Sequence, residues 1–164
     1  MPRDLTENVV EADTYRVSPE PVLLVAELFG AMALCLHDES RGVGGLLHLR
    51  FAGDGGRPSD VTDNTLSSVL TVLDRFKRAV IGASARRDRI HARILAHAPP
   101  PGDLEEPTAS LVDLVLADFA DGRIDCGRRL IRRIEPLRVC FEPFSGRAWV
   151  SGPQESAPAA ARRA

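Results

Sequence analysis

The sequence predicts an α/β (α+β) sandwich in which about two main helices pack on mixed β-sheets, with an N-terminal and a C-terminal β-hairpin. Two segments with the three- and four-residue spacing of amphipathic helices interrupt a series of short apolar runs that are typical of strands. The resulting order, β-β-β-α-β-α-β-β-β, favours helices that cover a sheet. The 164 residues are 44% hydrophobic and 27% charged, which suits one globular domain with its own core.

The first three predicted strands lie before residue 51. Residues 22–27 form an apolar run bounded by Pro21 and a later glycine, and residues 31–37 and 42–50 are extended segments separated by the polar turn DESR. If this turn occupies residues 38–41, His37 faces Gly42 and Ala31 faces His48, because the numbers of facing residues in a hairpin have a constant sum. The segment is therefore predicted to be a buried strand followed by a hairpin.

Two helices are predicted, over residues 63–79 and 109–120. Thr62 or Asp63 is a candidate N-cap for the first, and Gly122 is placed to cap the end of the second. Between them, residues 90–94 alternate between apolar and polar, as a half-buried strand does. The predicted apolar faces are Leu66, Val69, Leu70, Leu73 and Phe76 in the first helix and Leu111, Val112, Val115 and Phe119 in the second.

Three further strands are predicted at residues 128–134, 137–141 and 147–150, the last two as a closing hairpin. Residues 15–150 are predicted to form a single domain. Residues 1–14 are polar and residues 151–164 are rich in Pro, Ala and Ser, so we expect a flexible N-terminus and a disordered tail. The stretch 51–60, FAGDGGRPSD, is predicted to be a loop.

Composition excludes several classes of protein. A formal net charge of -2 and an isoelectric point near 6.1 give no general attraction for nucleic acid or an anionic membrane. No apolar run approaches the roughly 20 residues of a membrane-spanning helix, and the N-terminus does not have the pattern of a signal peptide. The three cysteines, Cys35, Cys126 and Cys140, fit reduced thiols, so a cytoplasmic protein is expected.

Two neighbouring motifs indicate chemistry: LFGAMALCLHD at residues 28–38 and GGLLH at 44–48. A cysteine and a histidine that face each other across a hairpin form a nucleophile and its base, because the imidazole can take the thiol proton. With these motifs the chain resembles the CheD family of chemoreceptor glutamine deamidases, whose members typically show T-x-x-L-G-S-C-V-A-V-C-L-x-D followed by G-G-M-x-H. Five residues match without a gap: Cys35, Asp38, Gly44, Gly45 and His48. The resemblance covers roughly residues 15–150 and returns at PLRVCFEPFSGRAWV.

The resemblance implies a site made of a nucleophilic cysteine, a histidine base and a threonine six positions before the cysteine. Here His48 retains the base position, whereas Ala31 occupies the nucleophile position and Val25 the threonine position. Met32 is predicted to point to the opposite strand face. The resemblance therefore indicates a CheD-like pseudoenzyme that binds chemoreceptor cytoplasmic helices or a CheC-type phosphatase.

Two alternatives remain. The first is an active deamidase whose nucleophile has moved to Cys35 or Cys126. The predicted hairpin places Cys35 about 13 Å along the strand from position 31, at 3.3 Å per residue, and we interpret it as a small buried residue. The second alternative is a binding domain unrelated to chemotaxis on the inherited fold.

Other motifs predict no cofactor and no metal. His37, His91 and His97 lack the spacing of a zinc ribbon or an H-E-x-x-H helix, and the GDGG stretch at 53–56 lacks the lysine and hydroxyl residue of a phosphate loop. The basic runs at 86–89 and 127–133 are predicted to be solvated strand edges, with a surface for acidic helices as the alternative.

Overall fold

The computed structural model describes residues 4–50, 63–83, 86–100, 105–124 and 126–151. Two helices and nine strands form in these ranges. The strands are β1 (Thr6–Val9), β2 (Thr14–Ser18), β3 (Val22–Leu28), β4 (Ala31–Asp38), β5 (Val43–Arg50), β6 (Ile90–Ala98), β7 (Cys126–Arg132), β8 (Leu137–Glu142) and β9 (Arg147–Ser151). The helices are α1 (Asp63–Gly82) and α2 (Glu105–Asp121), and a 3₁₀ turn (Arg87–Arg89) precedes β6.

The strands form two mixed sheets. The four-stranded sheet has the order β1-β3-β8-β9 and the five-stranded sheet the order β2-β5-β4-β6-β7. Two strand pairs are parallel, β1 with β3 and β6 with β7, and the described neighbours are otherwise antiparallel. The predicted α/β (α+β) class with its two hairpins is confirmed.

The five-stranded sheet is the middle of three layers. One of its faces packs on the four-stranded sheet, in a core that includes Ala33, Leu46 and Phe141. Its other face packs on both helices, in a core that includes Leu34 and Phe76. Because β4 is central and buried on both faces, its sequence AMALCL is continuously apolar rather than alternating.

The glycine pair of β5 permits the close packing of this middle layer. A Cβ on Gly44 would lie 2.4 Å from the carbonyl oxygen of Leu36, and one on Gly45 would lie 2.8 Å from the Phe76 ring. Real Cβ atoms do not approach other atoms so closely, so a side chain at either position would push β4 or α1 away. The GG motif therefore has a packing role.

The predicted helices are found with different ends. Helix α1 extends to Gly82 and α2 begins at Glu105, four residues before the predicted start. Leu70, predicted to face the core, is 40% exposed, whereas Val80 is buried. At the end of α2 the left-handed residue is Arg123, with φ 58°, because the Ile124 N–H donates to the carbonyl oxygen of Phe119 in the manner of a Schellman motif.

The segment up to residue 18 supplies two strands that are not among those predicted from the sequence. Strand β1 lies along β3 in parallel, and β2 lies along β5. Three predicted features fall outside what the structure describes: the capping side chain at Thr62 or Asp63, the 51–60 loop and the tail from 152 onward. Within the described ranges, no helix combines the length and hydrophobicity needed to cross a bilayer.

Candidate functional site

Ala31 begins β4 at a tight turn. The preceding Gly30 has φ 57°, a left-handed conformation that glycine adopts without strain. Ala31 is fully buried, and its cross-strand partners are Arg50 on β5 and His97 on β6. The predicted nucleophile position therefore carries a methyl group in the core between the two sheets, and alanine has no group that could attack a carbonyl carbon.

The predicted pairing of Ala31 with His48 is wrong by two residues. His48 lies directly opposite Ala33, and the turn comprises residues 39–42, so that Asp38 faces Val43. A shift by two residues keeps every side chain on its predicted face. Ala31 is consequently a diagonal neighbour of His48, at a typical Cβ separation of about 7–8 Å or somewhat less.

Asp38 and Gly42 fix this register. The Asp38 carboxylate accepts hydrogen bonds from the Ser40 N–H (2.9 Å) and, through its other oxygen, from the Arg86 N–H (2.7 Å). Burial alone would raise the pKa of Asp38, but these hydrogen bonds and that of the Ser40 hydroxyl hold it below its usual value. Gly42 has φ 62°, which suits a turn and not a strand. Asp38 is thus the last strand residue and Gly42 the last turn residue.

His48 is held in the orientation and tautomer of a base. Its ring Nδ1 lies 3.0 Å from the Val10 carbonyl oxygen, and because a carbonyl accepts, Nδ1 carries the proton and Nε2 the lone pair. Within the described ranges Nε2 has no hydrogen-bond partner. Burial lowers the pKa of His48, outweighing the Val10 contact that raises it. The imidazole is therefore neutral near pH 7.

The loop between β1 and β2 forms the support of His48. The Asp13 N–H donates to the His48 carbonyl oxygen (2.7 Å), and the Asp13 carboxylate accepts hydrogen bonds from Arg50 Nε (3.0 Å) and Nη2 (2.7 Å). The Val10 N–H in turn donates to the Val25 carbonyl oxygen (2.8 Å). Both sheets thus meet at the backbone of Val10, which contacts the base position on one side and the threonine position on the other.

The side chain of Val25 does not join this group. Leu24 and Ala26 belong to the core between the sheets, and successive side chains of a strand point to opposite faces. Val25 instead shares the other face of the four-stranded sheet with its cross-strand partner Cys140. The structure brings Ala31 and His48 to one face of one sheet and directs the Val25 side chain away from both.

His97 is the neighbour of Ala31 that sequence reasoning did not place at the site. It is fully buried; its Nδ1 accepts a hydrogen bond from the Gly30 N–H (3.3 Å), and its Nε2 donates to the Arg133 carbonyl oxygen (2.9 Å). Burial lowers its pKa, outweighing the hydrogen bond to Arg133. With both ring nitrogens occupied, His97 anchors the turn before Ala31 and has no free lone pair for proton transfer. In the sequence, the feature that marks His97 is that it is a histidine within an otherwise apolar stretch of β6.

Cys35 lies closer to His48 than predicted. Since Ala33 faces His48, Cys35 is the second diagonal neighbour of that imidazole, not a residue 13 Å distant from the site. Burial raises the pKa of its thiol to about 12, with a smaller opposing effect of Arg93. Burial likewise raises the pKa of Cys126 to about 11. Both are protonated thiols at neutral pH, the unreactive form.

The remaining histidines lie elsewhere. His91 pairs with His37 near the start of β6, six residues, or roughly 20 Å along the strand, from His97. In the part of the chain that the structure describes, no group of three His, Cys, Asp or Glu side chains is arranged to hold a metal ion. The 53–56 stretch lies outside the described residues.

Comparison with known proteins finds relatives named as members of the family that the sequence motifs resemble. The chain is 25% identical over 148 residues to the "Probable chemoreceptor glutamine deamidase CheD" of Burkholderia orbicola, covering 83% of this chain and 56% of the relative. It is 26% identical over 156 residues to the "Probable chemoreceptor glutamine deamidase CheD 1" of Burkholderia thailandensis and to the "Probable chemoreceptor glutamine deamidase CheD" of Burkholderia mallei, covering 88% of this chain and 62% of each relative. The resemblance to the CheD family is thereby confirmed. The chain spans about three fifths of the length of these relatives.

No protein-family model matches the chain. Among solved structures, it is similar to the hypothetical protein YfiH of Bacillus licheniformis, with a TM-score of 0.45 and 10% identity over 71% of this chain and 50% of that one. It is also similar to protein NMB0706 of Neisseria meningitidis, with a TM-score of 0.48 and 8% identity over 79% of this chain and 64% of that one.

Proposed function

We propose that this chain is a cytoplasmic, CheD-like chemotaxis protein that no longer hydrolyses glutamine side-chain amides and acts by binding chemoreceptor cytoplasmic helices or a CheC-type phosphatase. One observation carries the proposal. The hairpin, the glycine pair and the base His48 are present, but the position of the nucleophile is a fully buried Ala31.

The chemistry of deamidation explains why this one position decides the proposal. Hydrolysis of an amide through a covalent intermediate needs a thiolate that attacks the carbonyl carbon and a base that first removes the thiol proton. His48 can accept a proton at Nε2, but position 31 offers no proton and no sulfur. The Val25 side chain lies on the outer face of the other sheet, away from Ala31 and His48.

The activity assay uses a chemoreceptor cytoplasmic fragment, read by mass spectrometry at the level of peptides. We expect no glutamine to gain the mass that conversion of its amide to a carboxylate produces. Binding is measured separately, by calorimetry with the same fragment and with a CheC-type phosphatase. Saturable binding to either one, without deamidation, is the expected combination. Deamidation overturns the loss of activity, and failure to bind both overturns the chemotaxis role.

The second candidate function is an active deamidase that uses Cys35 as its nucleophile. The observation in its favour is that Cys35 is a diagonal neighbour of His48. The raised pKa of Cys35 opposes it, because only a minute fraction of a thiol with pKa about 12 is ionised at pH 7. The variants Cys35→Ser and Cys126→Ser decide the matter. Any deamidation that disappears in one of them, and persists in the other, identifies that cysteine as the nucleophile.

A further inference from the structure

A small cavity between the two sheets lies at the opposite end of β4 from Ala31. It has a volume of about 50 Å³, and its lining residues include His37, His91, Arg93 and Cys35 from the five-stranded sheet. Phe141 and Ala148 close it from the four-stranded sheet. The volume is several times the roughly 10–15 Å³ that one ordered water needs. From this geometry we infer that the cavity is a binding site for a small oxyanion, such as sulfate, phosphate or a carboxylate.

Basic groups converge on one face of this cavity. His37 and His91 are directly opposed across β4 and β6, and their ring centroids are 5.3 Å apart. Arg93, two residues after His91, projects from the same face of β6. Three nitrogen-bearing side chains thus line one cavity, and a guanidinium with two imidazoles is a donor set suited to an oxyanion.

Among the described residues, these basic groups form no ion pair with an acidic side chain, although Glu39 and Asp38 act on His37 from a distance. Neither Arg93 nor the His37 ring makes an ion pair or a hydrogen bond within those ranges. The pKa of His37 is lowered, first by burial and then by repulsion from His91; Glu39 opposes this more strongly than Arg93 adds to it, and Asp38 opposes it least. A bound anion would relieve this repulsion and favour the protonated imidazole.

The fold also leaves room for the His37 ring. A Cβ on Gly146 would lie 2.3 Å from His37 Nε2, so only a glycine permits the ring to occupy this place. Phe141 packs against the same ring edge-on, with centroids 6.4 Å apart. His37 is therefore held at the cavity by the turn between β8 and β9.

A divalent metal ion is the competing ligand for two imidazoles. Arg93 lines the same cavity, and its positive charge acts on His37 and Cys35. That charge disfavours a cation and adds to the attraction for an anion. The thiol of Cys35 is protonated, since burial raises its pKa to about 12, and metals bind the thiolate. These charges favour the oxyanion.

The test is an NMR titration of the full chain with sodium sulfate, which keeps its charge across the pH range used. The ring signals of His37 and His91 are expected to shift saturably and the pKa of His37 to rise, while His48 and His97 serve as internal controls. Affinity should increase as the pH is lowered, because binding favours protonated His37. A parallel titration with acetate distinguishes a tetrahedral anion from a carboxylate, and saturation by either supports the site.

Arg93→Gln is the decisive variant, with Arg75→Gln on the outside of α1 as its matched control. Both arginines are exposed, so neither change threatens folding, and unaltered His97 signals verify this. Loss of one charge-assisted hydrogen bond should weaken sulfate binding about tenfold or more in Arg93→Gln and leave Arg75→Gln unchanged. Equal, unsaturable shifts of all four histidines overturn the proposal. So does saturation by zinc chloride when neither oxyanion binds. None of these outcomes depends on the chemotaxis role.

Discussion

Ala33 lies directly opposite His48 across the β4–β5 hairpin, with Ala31 and Cys35 as the two diagonal neighbours of the imidazole. The base position of the family is thus flanked symmetrically by an alanine and a protonated thiol. A catalytic thiol at position 31 would have to reach His48 along the diagonal, which long or aromatic side chains can span. This register determines which substitutions can restore a Cys/His pair.

Paired cysteines test the register directly. Ala33→Cys combined with His48→Cys should form a disulfide when the protein is refolded under oxidising conditions, because facing residues have Cα atoms about 4.5–5.5 Å apart, within the range a disulfide requires. Ala31→Cys with His48→Cys should not. The bond is identified from linked peptides by mass spectrometry. A disulfide between positions 31 and 48, without one between positions 33 and 48, would show that Ala31 and not Ala33 lies opposite His48.

Removal of the Asp38 carboxylate should destabilise the hairpin end. Asp38→Ala leaves the N–H groups of Ser40 and Arg86 without their acceptor, so we expect a loss of about 1–3 kcal/mol in the free energy of unfolding. Glu39→Ala, an exposed change one residue further, should stay within about 0.5 kcal/mol. Urea unfolding followed by circular dichroism measures both. Equal effects of the two changes would contradict the capping role of Asp38.

The sequence predicted the hairpin strands and their faces because alternation of side chains is a local property. Local features, the Ser40 hydrogen bonds to Asp38 and the positive φ of Gly42, contribute to the register. The hydrogen bond from the Arg86 N–H to Asp38, 48 residues apart in the chain, also contributes and is not contained in the local pattern. The pairing of His97 with Ala31 is also non-local. Strands β1 and β2 are edge strands of four and five residues. β1 is largely polar, and the alternation of Tyr15 and Val17 in β2 is too short for a strand to be predicted from it.

Gly45→Ala should disturb the packing of α1 on the sheet. The new Cβ would lie 2.6 Å from the Arg16 carbonyl oxygen and 2.8 Å from the Phe76 ring, and overpacking of this kind costs about 1–3 kcal/mol or more. Gly127→Ala on β7 is the matched control, because a Cβ at that position would meet no atom within 4 Å. Comparison of urea midpoints tests the pair. A tolerated Gly45→Ala would show that the GG motif is not required for packing.

Stability should fall as the pH is lowered from about 7.5 to 5.5, since the pKa values of His37, His48 and His97 are all lowered by burial. Their contribution is complete above the unfolded value of about 6.5 and is lost as the pH falls through the folded values, because the unfolded chain then binds more protons. His97→Gln, which can still accept from Gly30 and donate to Arg133, should reduce this slope. Urea midpoints across the pH range measure it, and an unchanged slope would show that His97 titrates normally.

If the unprotonated Nε2 of His48 faces position 31 rather than Cys35, Ala31→Cys should create a thiol whose pKa lies below the reference value of about 8.5, because the imidazole can then take the thiol proton. The midpoint of the pH profile of alkylation, read on the peptide that contains residue 31, gives this pKa independently of how slowly a buried site reacts. The native thiols do not interfere, since burial raises the pKa of Cys35 and Cys126 to about 12 and about 11. Adding His48→Ala should raise the midpoint again, and Met32→Cys, on the helix-facing side of β4, should show no lowering. A midpoint at or above 8.5 in Ala31→Cys would mean that restoring the sulfur does not restore the pair.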